Sequence, residues 1–148
     1  MKKRQNPARV KNVISRCGSL PYPFRLLLRV KSKNKRTFDG TSCYKLGTYY
    51  EEGRAGVTQD FSKAAAYYLK AVSDPNTHAT MLGIPQAYYS LARFYENGLG
   101  VEKDSVKAKS YYEKALSACE ETLSYEFAAG REAAEVTQKE ANAALERF

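Results

Sequence analysis

Between about residues 42 and 117, apolar and small side chains return every three or four positions, the spacing that sets them on one face of an α-helix. Leu46 and Tyr50 are one such pair and Leu91 and Tyr95 another, each with a small neighbour, Gly47 or Ala92, beside which an adjoining backbone has room to approach. Ala64, Tyr67, Tyr68 and Ala71 make a second face, matched by Ala108, Tyr111, Tyr112 and Ala115. Punctuation separates the faces. Gly53 and Gly98 stand where a helix C-terminus calls for a left-handed residue, Gly56 and Gly100 add a second permissive position, and Asp60 and Asp104 are placed to cap the amides of the next helix. The pattern predicts helix, turn, helix, written twice.

The two units align residue by residue. Leu46, Gly47, Tyr50, Gly53, Gly56, Val57, Asp60, Lys63, Ala64, Tyr67, Tyr68, Lys70 and Ala71 return as Leu91, Ala92, Tyr95, Gly98, Gly100, Val101, Asp104, Lys107, Ala108, Tyr111, Tyr112, Lys114 and Ala115. The offset is 45 as far as Gly53 and 44 from Gly56 onward, so the first turn holds one extra residue, Arg54 or Ala55. An internal period of roughly 20–50 residues marks stacked supersecondary units, none of which buries its apolar face alone.

The order L-[GA]-x-x-Y-x-x-G, then G-V-x-x-D-x-x-K-A-x-x-Y-Y-x-K-A, resembles the Sel-one-like repeat, a relative of the tetratricopeptide repeat. The resemblance covers about residues 42–117, with Tyr in the second helix where the family often has Trp and a longer linker between copies. It implies an all-α solenoid of helix-turn-helix repeats that serves as a non-catalytic scaffold or adaptor for protein partners. The expected layout is a basic arm over 1–40 and a helical repeat domain over 41–148, divided into repeat 1 (42–72), repeat 2 (86–117) and a terminal capping helix (118–147). The cap is expected from the Ala- and Glu-rich, proline-free sequence after Ser117, in which Leu123, Phe127, Ala134, Ala141, Leu145 and Phe148 share a stripe and Gly130 marks a break. In the linker from Val72 to Pro85, Met81, Leu82 and Ile84 are expected to fill the seam between copies.

Charge divides the chain sharply. The 148 residues hold 24 Lys and Arg against 16 Asp and Glu, a net +8. Residues 1–38 contain twelve of the basic residues and none of the acids, which leaves twelve basic and sixteen acidic residues for 39–148: +12 against −4. Three readings of the arm compete: a solvated basic run, an Arg-rich import signal of the mitochondrial kind, and a segment that binds RNA. For the last, Arg25, Arg29, Lys31, Lys33, Lys35 and Arg36 are the candidate phosphate contacts, with Tyr22 and Phe24 available for stacking. A short basic helix over Ala8–Cys17, and packing of the apolar Leu26, Leu27, Leu28 and Val30 on the first repeat, are further expectations.

No membrane span is expected, because the most apolar stretch, Phe24–Val30, is short and interrupted by Arg25 and Arg29. Cys17, Cys43 and Cys119 have no paired spacing, which argues for a reducing, intracellular setting: the cytoplasm, or mitochondria if the arm is an address. The single histidine, His78, has no second ligand near it, and there is no serine elbow or phosphate-cradling loop. Neither enzyme activity nor a metal or cofactor is expected.

What remains for a partner is the surface that the repeat pattern does not consume. Tyr44 and Tyr49 lie outside the repeat consensus, yet their counterparts 45 residues later, Tyr89 and Phe94, are aromatic too. On stacked first helices they either form an aromatic ladder for a protein or peptide, with Lys45, Thr48, Ser90 and Arg93 as flanking polar contacts, or pack helix on helix. Two repeats are near the lower limit for a free-standing array, so stacking on a partner or on a second copy as a homo-oligomer is also expected.

Overall fold

A computed structural model describes residues 40–73, 78, 82–125 and 130–148; the basic arm, with its expected helix and its apolar stretch, lies outside them. The described residues form five α-helices and no strand: α1 Gly40–Glu52, α2 Phe61–Ser73, α3 Ile84–Asn97, α4 Ser105–Ser124 and α5 Arg131–Leu145. Consecutive helices pack on one another, while α1 also touches α3, and α3 touches α5. The first helices α1 and α3 therefore share a layer with α5, and α2 and α4 carry the second faces. The protein is an all-α helical repeat.

The caps form as their residue types dictate. Gly98 closes α3 at φ 72°, with its N–H donating to the Phe94 carbonyl. Asp104 Oδ1 accepts from the Lys107 amide at 3.0 Å, and Asp60 Oδ1 accepts from the Lys63 amide at the same distance. Each cap carries the same superstructure. Lys63 Nζ bonds Asp60 at 2.8 Å and lies 5.5 Å over the Tyr50 ring, which stacks on Tyr67 at 5.5 Å and 8°. Lys107 Nζ bonds Asp104 at 3.1 Å and lies 5.5 Å over Tyr95, which stacks on Tyr111 at 5.5 Å and 8°. One side chain thus joins the helix cap to the interhelix seam by both charge and cation–π attraction. The extra residue in the first turn has a visible cost: Ala55 adopts φ 58°, the left-handed region that normally falls to glycine.

The core is built from Leu46, Tyr68, Ile84, Leu91, Phe94 and Tyr112 with alanines between them. Burial of each such aliphatic or phenyl side chain contributes about 1.5–3 kcal/mol. Gly47 is small for a reason that differs from the expected one: what approaches is no backbone but the Tyr68 ring, whose Cε1 lies 2.5 Å from where a Cβ would stand. Between the repeats, Ile84 is buried in the seam, whereas Leu82 is 42% exposed and reaches toward Gly130, so only one of these two linker residues plugs the junction. Met81 is outside the described residues. Beyond repeat 2, α4 runs unbroken to Ser124 and the separate terminal helix starts only at Arg131, where the Arg131 guanidinium donates to the carbonyls of Leu123 (2.7 Å) and Tyr125 (3.0 Å). Of the expected stripe, Ala134 and Ala141 are buried, Leu123 and Leu145 are half-buried, Phe148 is partly exposed, and Phe127 is not described.

Candidate protein-binding surface

The residues expected to meet a partner all belong to the layer of first helices, but they divide in two. Phe94 is fully buried, edge-on to Phe61 at 5.8 Å and 90° and to Tyr68 at 5.8 Å and 66°. It packs helix on helix, so it is removed from the expected ladder: an aromatic at this position is held by the second helix of the preceding unit. Ser90 is buried as well, beside the Tyr68 hydroxyl. Lys45 is exposed, and Tyr44, Thr48, Tyr49, Tyr89 and Arg93 are half-buried. The Thr48 hydroxyl donates to the Lys45 carbonyl at 2.9 Å.

Several of these side chains converge on a carboxylate that the repeat pattern did not single out. Glu51 Oε2 accepts from the Tyr68 hydroxyl at 2.5 Å, and its Oε1 lies 3.4 Å from Arg93 Nη1. The Tyr44 ring sits 5.9 Å from Tyr68. The second repeat rebuilds the cluster: Glu96 Oε2 accepts from the Tyr112 hydroxyl at 2.6 Å, Arg147 Nη2 lies 3.3 Å from Glu96 Oε1, and Tyr89 sits 5.7 Å from Tyr112. In both, a carboxylate is shared between the second helix of its own unit and an arginine from farther along the chain. Glu51 and Glu96 are 45 residues apart, so the period itself was the signal that would have found them.

The electrostatics follow from shielding. Burial, the Glu51 hydrogen bond and the Glu51 charge push the Tyr68 phenol far above its ordinary range, and Tyr112 is raised likewise by burial and Glu96. Tyr44 is raised by burial and by Glu51 and Glu52, and Tyr89 by burial and then by the neighbouring Glu140 carboxylate. These phenols stay protonated as donors, which fixes the carboxylates as acceptors. Among the described residues no group of three or more His, Cys, Asp or Glu is arranged to hold a metal ion, and no helix is long and apolar enough to cross a membrane. The cluster is suited to fixing the mutual position of helices and presenting a polar, tyrosine-rich layer.

Fold and surface together define a short α-helical repeat array. Residues 40–75 and 85–118 match the model of the Sel1 repeat, and with these two repeats the chain belongs to the Sel1-like repeat family. A segment of 36 residues is 50% identical to cytochrome c oxidase assembly factor 7 of Mus musculus, covering 24% of this chain and 16% of that protein. Over 34 residues the chain is 53% identical to cytochrome c oxidase assembly factor 7 of Homo sapiens, covering 23% and 15%. The chain thus spans about a sixth of the length of these curated relatives.

Proposed function

We propose that this protein is a non-catalytic scaffold that holds a protein partner on the layer formed by α1 and α3. The observation that carries the reading is the pairing of two Sel1 repeats with a first-helix layer whose Tyr44, Tyr49, Tyr89 and Arg93 keep part of their surface open beside exposed Lys45. Half-buried tyrosines offer large contact area at small entropic cost, because helix packing already restrains them. The test compares affinity capture by the wild-type chain, Lys45→Glu and Lys109→Glu, with folding checked by circular dichroism. Lys45 lies exposed on the first-helix layer and Lys109 exposed on α4. Loss of the same bound protein from Lys45→Glu alone supports the surface; equal retention by both variants overturns it.

A second reading is favoured by the names of the relatives together with the acid-free arm: a part in an organellar assembly, with residues 1–38 acting as an import signal or as an RNA-binding segment. Intact mass and N-terminal sequence of the protein from its native cell separate the two uses of the arm. A start near residues 17–40 identifies an address, whereas a retained arm with salt-sensitive nucleic acid identifies a working part.

A further inference from the structure

The helix α5 does more than cover an apolar end. It lies against α3 as α3 lies against α1, and the residues from Ala141 on, which run past its end at Leu145, repeat a stretch within α3. Ala87-x3-Leu91-x-Arg93-Phe94 returns 54 residues later as Ala141-x3-Leu145-x-Arg147-Phe148. The contacts return with the letters. Arg93 meets Glu51 at 3.4 Å and Phe94 lies 5.8 Å from the Tyr68 ring; Arg147 meets Glu96 at 3.3 Å and Phe148 lies 6.1 Å from the Tyr112 ring. The edge of repeat 2 therefore meets the Arg-Phe step that follows α5 by the same chemistry that joins repeat 1 to repeat 2.

The second copy of this contact is the looser one. Phe94 is 0% exposed and Phe148 is 47% exposed. Where α3 buries Ile84, Leu91 and Phe94, α5 buries only Ala134, Thr137, Ala141 and Ala144. Small side chains remove little apolar area from water, so α5 is held by less than α3 is.

We propose that the edge made by Ala92, Glu96, Tyr112 and Leu116 is a docking site for a partner's amphipathic helix of the form Ala-x3-Leu-x-Arg-Phe, and that α5 fills it in cis until such a helix displaces it. The charge match selects the arginine: Glu96 is already bonded to Tyr112 on one oxygen and presents the other. The ring of Tyr112 then selects an aromatic one position on. This deepens the scaffold reading by naming the chemistry of a partner, and it uses an edge separate from the surface around Lys45.

The test adds a fluorescein-labelled peptide of residues 131–148 to the full chain and reads anisotropy. The wild-type chain should bind it, and in a chain whose own helix is dislodged by Ala144→Asp, adding Glu96→Arg should weaken binding on the order of tenfold or more and Arg147→Glu in the peptide should recover the loss. Ala144→Asp in the protein, which dislodges the cis helix, should tighten binding by about the same factor. Hydrogen exchange on the wild-type chain supplies a readout that needs no variant: α5 amides should exchange faster than those of α3. Absence of peptide binding to both wild type and Ala144→Asp, binding to the Ala144→Asp chain indifferent to an added Glu96→Arg, or α5 protection equal to that of α3 would each overturn the proposal. A null result here with partner loss at Lys45→Glu leaves the scaffold standing and removes only this site.

Discussion

The Ser62 hydroxyl donates to the Gly100 carbonyl at 3.0 Å, and in the same contact the Gly100 α-carbon faces the backbone of Phe61 and Ser62 so closely that a Cβ would overlap it. The turn of repeat 2 is thereby seated on the start of the second helix of repeat 1. Gly100→Ala adds a left-handed penalty to a backbone collision and should cost on the order of 3 kcal/mol or more. Gly98→Ala bears a similar φ, 72°, but its nearest new contact is an ordinary 3.4 Å, so about 1–2 kcal/mol is expected. Urea denaturation of the two variants measures the difference, and equal losses would show that the repeats are not joined here.

The carboxylate clusters set a second expectation. Tyr68→Phe and Tyr112→Phe keep the ring but remove the donor from Glu51 or Glu96, and each should lower stability by about 1–2 kcal/mol. Raised phenol pKa values in the folded state mean that this stabilisation is fully present below the ordinary phenol range near 10 and fades as pH climbs through the folded values. Tyrosine absorbance followed during alkaline titration should show Tyr68 and Tyr112 ionising only together with loss of helicity.

Ala55 is a residue to improve. Glycine tolerates its φ of 58° without a Cβ penalty, so Ala55→Gly should raise stability by up to about 1 kcal/mol despite the looser unfolded chain. A lower melting temperature would show that the methyl group has a packing role greater than the strain it causes.

Acid should weaken both second-helix caps. The Lys63 ammonium and amide hold the Asp60 carboxyl below the usual carboxylate range, and the Lys107 amide and ammonium do the same for Asp104. A depressed folded pKa gives stability that is present above the unfolded value near 4 and is lost as pH falls through the folded one. The gap in melting temperature between wild type and Asp60→Asn/Asp104→Asn should therefore close as pH drops from about 5 to 2.

Cys119 is fully buried on α4, and burial followed by the Glu120 charge pushes its thiol up to about 11. Thiolate is the reactive form, so at about pH 8 the Cys119 peptide should escape alkylation in the native protein and react fully after denaturation. Native labelling would place this helix in an open state that the packing does not show.

The helices, their glycine stops and their aspartate caps were legible because each rests on local chemistry repeated at a fixed interval. Contacts between units were less so. The Gly47 approach was foreseen, but its occupant, the Tyr68 ring, comes from the neighbouring helix and leaves no trace in local spacing. Phe94 stays open in the sequence between the ladder and helix packing, because an aromatic outside the consensus is compatible with either role; only the position of Phe61 and Tyr68 across the seam buries it. Glu51, Glu96 and Arg147 went unnoticed among other charged helix residues, although the 45-residue spacing of the glutamates and the returning Arg-Phe step were both in the chain.

The arginines of the first-helix layer reach backward only, Arg93 to Glu51 and Arg147 to Glu96. Repeat 1 has Thr48 at the position of Arg93, so it offers no cation there to a carboxylate that precedes it. A permuted gene that placed repeat 1 after repeat 2 would set Thr48 opposite Glu96 and leave that charge shielded without a cation. The order of the units is thus written in their side chains as well as in their linkers, and the array has a grammar in which one sentence is allowed and its transposition is not.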